Sequence, residues 1–350
     1  MRAWRNGFPL LRICLDIEIS DQERHEKAIQ EPVTLVNLDV SAEGTLSKRQ
    51  NRNRKAILID ILFGGLAIFV FSSSYTLAKV VLVQVPPITT GALRFLLAFV
   101  FVFPFTFAKY RSKIFLGYSK KDWRTIAFIA ITFILLPQIL QNIGLLYTTA
   151  ALTGVIQGTI PIFVAILAFF FLKERTQAIR WFGAGISLIG VILISSGGNI
   201  LGLEGSSALG NGMQIGATFF YAIGSIVLKP ALGKMKPGVL VTLLFLSGGG
   251  LLSLASASEV SSWPSSLSNL TLVALLLLAG SYAAGLFCWL WVLEHVSVSS
   301  LYLTLFLMPI LSIIIPVVLL GETFTIMDCV FAFVILLGLG IAQISDIRKS

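Results

Sequence analysis

The sequence predicts an all-α integral membrane protein: ten transmembrane helices arranged as two inverted five-helix repeats, with both termini cytoplasmic. Three observations carry this expectation: the composition, the length of the apolar runs and an internal repeat. Hydrophobic residues make up 56% of the 350-residue chain and charged residues only 12%, with a mean hydropathy of +0.90. A soluble domain carries about twice that charge. The apolar residues fall in blocks of about 20, the length that crosses a hydrocarbon core roughly 30 Å thick. A backbone inside lipid must satisfy its own polar groups, and continuous apolar blocks do this as helices, since barrel strands would alternate.

The blocks lie at 57–78, 88–108, 125–146, 149–172, 178–196, 209–228, 238–258, 269–293, 298–320 and 325–344. Residues 1–56 differ in kind. They are polar, carry both signs of charge and end in the basic cluster Lys48, Arg49, Arg52, Arg54 and Lys55. Their one apolar stretch, Pro9 to Leu15, is broken by Arg12 and has neither the length nor the cleavage site of a signal peptide. The expectation is an uncleaved, flexible cytoplasmic tail.

Basic residues set the orientation, because Lys and Arg in short loops are retained on the cytoplasmic side. Lys109, Arg111, Lys113, Lys120, Lys121 and Arg124 follow the second block; Lys173, Arg175 and Arg180 follow the fourth; Lys234 and Lys236 follow the sixth. The alternate loops hold a single basic residue, Lys79. This topology accounts for the net charge of +9 through contact with anionic headgroups, so no nucleic-acid partner is expected. Cys14, Cys288 and Cys329 are far apart without metal spacing, and read as packing residues. No metal and no cofactor are expected.

The repeat converts a row of helices into an architecture. A shift of 148 residues lays Pro161 on Pro309, Leu172 on Leu320, Glu174 on Glu322, Leu188 on Leu336 and Gly190 on Gly338. A shift of 150 lays Phe69 on Phe219, Phe71 on Tyr221 and Lys79 on Lys229. The organisation is a tail (1–56), a first repeat (57–196), an external linker (197–208), a second repeat (209–344) and a short cytoplasmic end (345–350). Five helices per repeat is an odd number, so the second repeat enters the membrane upside down. Inverted repeats supply two states of similar energy, one open to each side.

Several residues then carry a family resemblance. Ala150-Ala151-Leu152-Thr153-Gly154 runs through Gly158-Thr159-Ile160-Pro161 to Phe171-Leu172-Lys173-Glu174-Arg175, followed by Gly183 and Gly190. In the second half Ser299-Ser300 leads to Met308-Pro309 and Leu319-Leu320-Gly321-Glu322, then Gly338. Pro87 followed by Arg94 is similar to the family's opening of the second helix. Over about residues 57–344 the chain resembles the EamA-type transporters of the drug/metabolite transporter superfamily. It departs from strict symmetry at Leu244, which stands where an arginine matching Arg94 would fall. The resemblance implies a ten-helix fold around a central cavity and secondary transport of small metabolites, with export common. Amino acids, nucleotide precursors and vitamins are all handled by relatives.

Polar residues within the spans are the site candidates, since an intramembrane charge is costly and usually faces a partner or a cavity. Arg94, about two turns inside its helix, can grip a carboxylate or phosphate with two hydrogen bonds; it can equally clamp backbone carbonyls or reach a lipid phosphate. Gln138, Gln141 and Asn142 can share a helical face, to hold a polar solute or to join helices, beside Pro137, which can kink the helix. Tyr75 and Tyr221 combine a ring with a hydroxyl, and Gln157, Tyr282, Trp289 and Tyr302 complete the substrate-binding candidates. Pro161 and Pro309, mid-span in matching helices, are hinge candidates. Glu174 and Glu322 are structural charge candidates, each capping the next helix or pairing with a base, because a carboxylate at a helix C-terminus is disfavoured. Asp60 and Asp328 read as dipole partners in first turns.

The partners expected are the lipid bilayer and a small-molecule solute; no nucleotide-binding loop is present, so transport is expected to draw on an ion gradient such as protons, on exchange or on the solute's own gradient. An intramembrane enzyme is not expected, because the chain has only two His residues, one of them in the tail, and no zinc-protease or Gly-Ser nucleophile motif. The competing class is a non-transporting membrane sensor or structural membrane protein with the tail as its output.

Overall fold

A computed structural model describes residues 54–172, 178–195, 206–295 and 307–347. The chain divides into two units, 1–62 and 63–350. Of the first only the opening turns of α1 are described; all contacts below belong to the second. The described residues form ten helical elements and no strand: α1 (Arg54–Val81), α2 (Pro87–Tyr110), α3 (Lys120–Tyr147), α4 in two pieces (Ala150–Gln157 and Ile160–Leu172), α5 (Ala178–Ser195), α6 (Ser206–Lys234), α7 (Pro237–Ala255), α8 (Asn269–His295), α9 (Leu307–Leu320) and α10 (Ile326–Ile347). Seven are long and apolar enough to cross a membrane, and three shorter apolar helices lie in α5, α9 and α10. Large hydrophobic side chains such as Phe105, Phe170, Phe182, Val318 and Phe333 stand exposed, as expected of helices solvated by lipid.

Helix boundaries follow from local chemistry. α2 and α7 each begin with proline at the first helical position, Pro87 and Pro237, where the missing N–H costs nothing. Ser119 and Asp122 form a reciprocal capping box at the start of α3, and Thr149 accepts from the Leu152 amide at the start of α4. Within α3, residues Ala130–Leu135 widen into a π-helical turn. Pro137, with no amide to donate, follows it, and the extra residue per turn absorbs the irregularity.

Lipid offers helices no hydrophobic drive to associate, so close packing of small residues holds the bundle. A Cβ on Gly183 would lie 2.4 Å from the Ala342 amide nitrogen, and one on Gly338 would lie 2.4 Å from that of Ser187. α5 and α10 therefore touch backbone to backbone. Gly144 approaches the Gly210 carbonyl across α3 and α6, and Gly154 faces Ser312 across α4 and α9.

These contacts relate the two repeats geometrically. Phe95 and Phe245, 150 positions apart, meet edge to face at 5.6 Å. Ser187 and Ile335, 148 apart, are joined by a 2.8 Å hydrogen bond from the Ser187 hydroxyl to the Ile335 carbonyl. Residues at equivalent repeat positions that touch each other lie at a two-fold axis. Along α2 and α7 the paired residues run in opposite order: Phe95 with Phe245, Thr106 with Thr242, Tyr110 with Gly238.

The structure departs from the sequence reading in three places. The fourth span is not continuous but breaks at Gly158–Thr159, where the Thr159 hydroxyl turns back to the Ile156 carbonyl at 2.6 Å. Pro161 consequently lies in the first turn of a new helical piece rather than mid-helix, a position where proline fits without strain. Glu322 caps no following helix: it reaches across to the start of α4. Gly321, at φ +64°, provides the left-handed turn before it, a conformation that glycine adopts without steric cost. Cys329 is exposed, not packed, while Cys288 is buried. Cys14, Glu174, Tyr302 and the 197–205 part of the linker lie outside the described residues, as do the side chains of Asp60 and Trp289.

Candidate functional site

Arg94 sits on the inner face of α2, only 3% exposed. Its guanidinium lies over the Tyr282 ring, 4.4 Å from the centroid, a cation–π contact worth about 1–2 kcal/mol when dry. Its one described hydrogen bond, to Gln138 Oε1, is long at 3.5 Å. Its Nε is buried without a hydrogen-bond partner among the described residues. The four carboxylates whose side chains are described are all engaged at helix N-termini: Asp122 at α3, Glu259 at α2, Glu322 at α4 and Asp328 at α10. None of these four is free to neutralise Arg94.

From Arg94 a string of amides crosses the bundle. Gln138 Nε2 donates to the Tyr221 hydroxyl at 2.7 Å and to Gln141 Oε1 at 3.1 Å. Tyr221 donates to Gln141 Oε1 at 3.3 Å, tying α3 to α6. Gln214 Nε2 bonds the Gln141 carbonyl at 2.9 Å, and Gln157 Nε2 approaches Gln214 Oε1 at 3.4 Å. The string ends on Gln157 Oε1, a buried acceptor with no hydrogen-bond partner among the described residues. It thus has surplus donors at Arg94 and a surplus acceptor at Gln157.

Tyr75 is buried within electrostatic range of Arg94 and Tyr282. Tyr282 is half-buried and joins Phe95 and Phe245 in a three-ring cluster with centroids 5.2 to 5.7 Å apart. Beyond that cluster a cavity of about 630 Å³ opens between α2, α7 and α8, bordered by Phe101, Thr106, Lys109, Gly238, Val241 and Ala283. Val241 is one turn from Phe245, and Ala283 adjoins Tyr282.

Arg94, Gln138, Gln141, Tyr221, Tyr282 and Tyr75 are thus gathered in one region. Asn142 turns away from its two neighbours and donates to the Pro87 carbonyl at 2.9 Å, fixing the start of α2. Pro309 packs against the break in α4, 2.7 Å from where a Gly158 Cβ would be. Gln214 was not among the residues singled out from sequence. Its signal was an amide three residues after Asn211 in an apolar span, the spacing that marked α3. Thr76 and Ser312, each buried with a hydroxyl oxygen unpartnered among the described residues, carried no signal beyond their polarity. Among the described residues no group of three His, Cys, Asp or Glu could hold a metal.

An all-helical bundle with lipid-facing flanks, close-packed glycines and a buried polar track is a multi-pass membrane protein of the transporter class. The chain belongs to the EamA-like transporter family, whose profile matches residues 58–196 and 208–342. It is 25% identical over 270 residues to the uncharacterized inner membrane transporter YedA of Escherichia coli, covering 75% of this chain and 84% of that one. It is 29% identical over 129 residues to the uncharacterized transporter YetK of Bacillus subtilis, covering 37% of this chain and 38% of YetK. An uncharacterized transporter of Archaeoglobus fulgidus is 23% identical over 266 residues, 74% of this chain and 88% of its own. A solved crystal structure shares the fold with a TM-score of 0.60 at 18% identity, covering 83% of this chain and 99% of that one.

Proposed function

We propose that this protein is a secondary transporter that exports a small polar metabolite, such as an amino acid or a related anionic or zwitterionic compound. It works by alternating access between inverted repeats 57–196 and 209–344, which contribute ten spans, with the tail 1–56 and both termini cytoplasmic. Arg94 carries this reading. A guanidinium held in a membrane span, with an orphaned Nε and with Asp122, Glu259, Glu322 and Asp328 all committed elsewhere, is a stored electrostatic cost that a solute carboxylate or phosphate offsets. The polar track supports a zwitterion: the acid group at Arg94 and a donor toward Gln157. Tyr282 supplies the opposing ring, and Pro161 and Pro309, at the break in α4 and against it, supply the hinge. Proton movement or exchange supplies the energy.

The test compares metabolites in medium and cytosol for cells expressing the intact protein, an Arg94→Ala variant at equal membrane abundance, or neither. The expected result is one acidic or zwitterionic solute accumulating outside only with the intact protein. Equal movement by both proteins makes Arg94 structural. No movement, there or in proteoliposomes under a proton gradient, favours the sensory membrane protein.

A further inference from the structure

The repeats are not equivalent where their second helices begin. At the start of α2 the amides of Ile88 and Thr89 donate to Glu259 Oε1 and Oε2 at 2.9 and 2.7 Å, and the Thr89 hydroxyl adds a 2.8 Å bond. Glu259 lies in the 3₁₀ turn Ser256–Ser262 that follows α7, in the opposite repeat. Three charge-assisted bonds at the positive end of a helix thus join one repeat to the other. On the same face Glu322 takes the Ala150 and Ala151 amides at 2.8 and 3.0 Å. There too Lys79 donates to the Leu145 and Thr148 carbonyls at the C-terminal end of α3. Thr89 and Thr90 are buried beneath these contacts.

The mirror position on the other face is different. The offset of 150 that lays Pro87 on Pro237 lays Ile88 and Thr89 on Gly238 and Val239, and lays Lys109 on Glu259. Lys109 offers no acceptor, its like charge opposes the helix dipole, and the residue before α7, Lys236, makes no side-chain cap. Lys109 and Gly238 instead border the open cavity between α2, α7 and α8. One face is latched by a carboxylate; at the matching place the other face has a cation and a gap.

We propose that Glu259 is the latch of the α2-start gate and that Lys109 is its unlatched counterpart. This broken symmetry sets the resting state: closed where α2 begins, open where α7 begins. Alternation then requires the Ile88 and Thr89 amides to leave Glu259, while at the α7-start face the described residues hold α2 to α7 through the neutral Thr106–Thr242 hydrogen bond and no carboxylate. The assignment rests on the alternating-access reading above, because a latch biases an equilibrium only if two states exist.

The test uses full-length protein in detergent with Cys14, Cys288 and Cys329 replaced by serine and one cysteine probe introduced, Thr90→Cys or Val241→Cys. The rate of alkylation by a water-soluble maleimide reports each face. Glu259→Gln is expected to raise the Thr90→Cys rate about tenfold and slow the Val241→Cys rate, the scale of one charge-assisted bond. Lys109→Glu, which builds the mirror latch, is expected to shift both probes in the same direction as Glu259→Gln. Its effect on Thr90→Cys arises on the far face, where local damage at residue 109 does not reach, and it stands if Glu259→Gln fails to fold. Unchanged Thr90→Cys labelling in both variants overturns the latch. If addition of an amino-acid and carboxylate panel still moves the two probes in opposite directions, alternation survives and only the latch is lost. If nothing moves either probe, the alternating-access reading fails with it.

Discussion

Replacing Arg94 by alanine separates a binding arginine from a structural one because the two roles predict opposite energetics. Truncating one member of a buried charge pair costs about 2–4 kcal/mol of affinity, roughly a 30- to 900-fold rise in half-saturation for an anionic solute. Without solute the balance is different. The variant loses the contact with the Tyr282 ring at 4.4 Å and the long bond to Gln138, about 1–2 kcal/mol. It regains what burying an unpartnered charged donor had cost, about 1–3 kcal/mol. The two nearly cancel, so the unliganded melting temperature in detergent should move by less than about 5 °C, while solute-induced stabilisation disappears. Arg94→Lys keeps the charge but not the planar fork, and should lose about tenfold in affinity. The assay is thermal unfolding with and without the solute identified by metabolite comparison, alongside proteoliposome uptake. A variant that melts far lower yet saturates at the same solute concentration would refute the reasoning.

Four further outcomes follow from the packing, the hydrogen bonds and the caps. Gly183→Val drives side-chain atoms into the Ala342 amide and Gly338 carbonyl; backbone cannot yield as a side chain does, so membrane abundance and melting temperature should fall sharply. Gly250→Ala, with nothing within 4 Å of the added methyl, should instead stabilise α7 by about 0.5–1 kcal/mol through helix propensity. Tyr221→Phe removes the acceptor for Gln138 Nε2 and should cost about 1 kcal/mol of thermal stability, with a larger loss of transport if the amide string holds solute. Ser119→Ala deletes the box at the start of α3 and should cost about 1 kcal/mol with solute affinity unchanged, measured by melting and by uptake.

Much of the fold was legible from chain chemistry. Solvation by lipid forces backbone hydrogen bonds inward, so apolar runs of spanning length declare helices without reference to their neighbours. The offsets of 148 and 150 gave the pairing of repeats, and Phe95 against Phe245 and Ser187 against Ile335 are its geometric consequence. Arg94 was legible because a charge in hydrocarbon is expensive wherever it points. The direction of each side chain was not legible. Gln141 and Asn142 are neighbours with the same amide chemistry, yet one joins the Tyr221 string and the other pins Pro87, since a 100° step along a helix is enough to change partners. Nor did sequence reveal that Glu259 and Glu322 would cap helices of the opposite repeat, or that α4 would break at Gly158. Those depend on which helix ends meet in space. Composition and period determined what each segment is; only tertiary packing decided which polar groups are spent on one another and which, like Arg94 Nε, are left without a partner among the described residues.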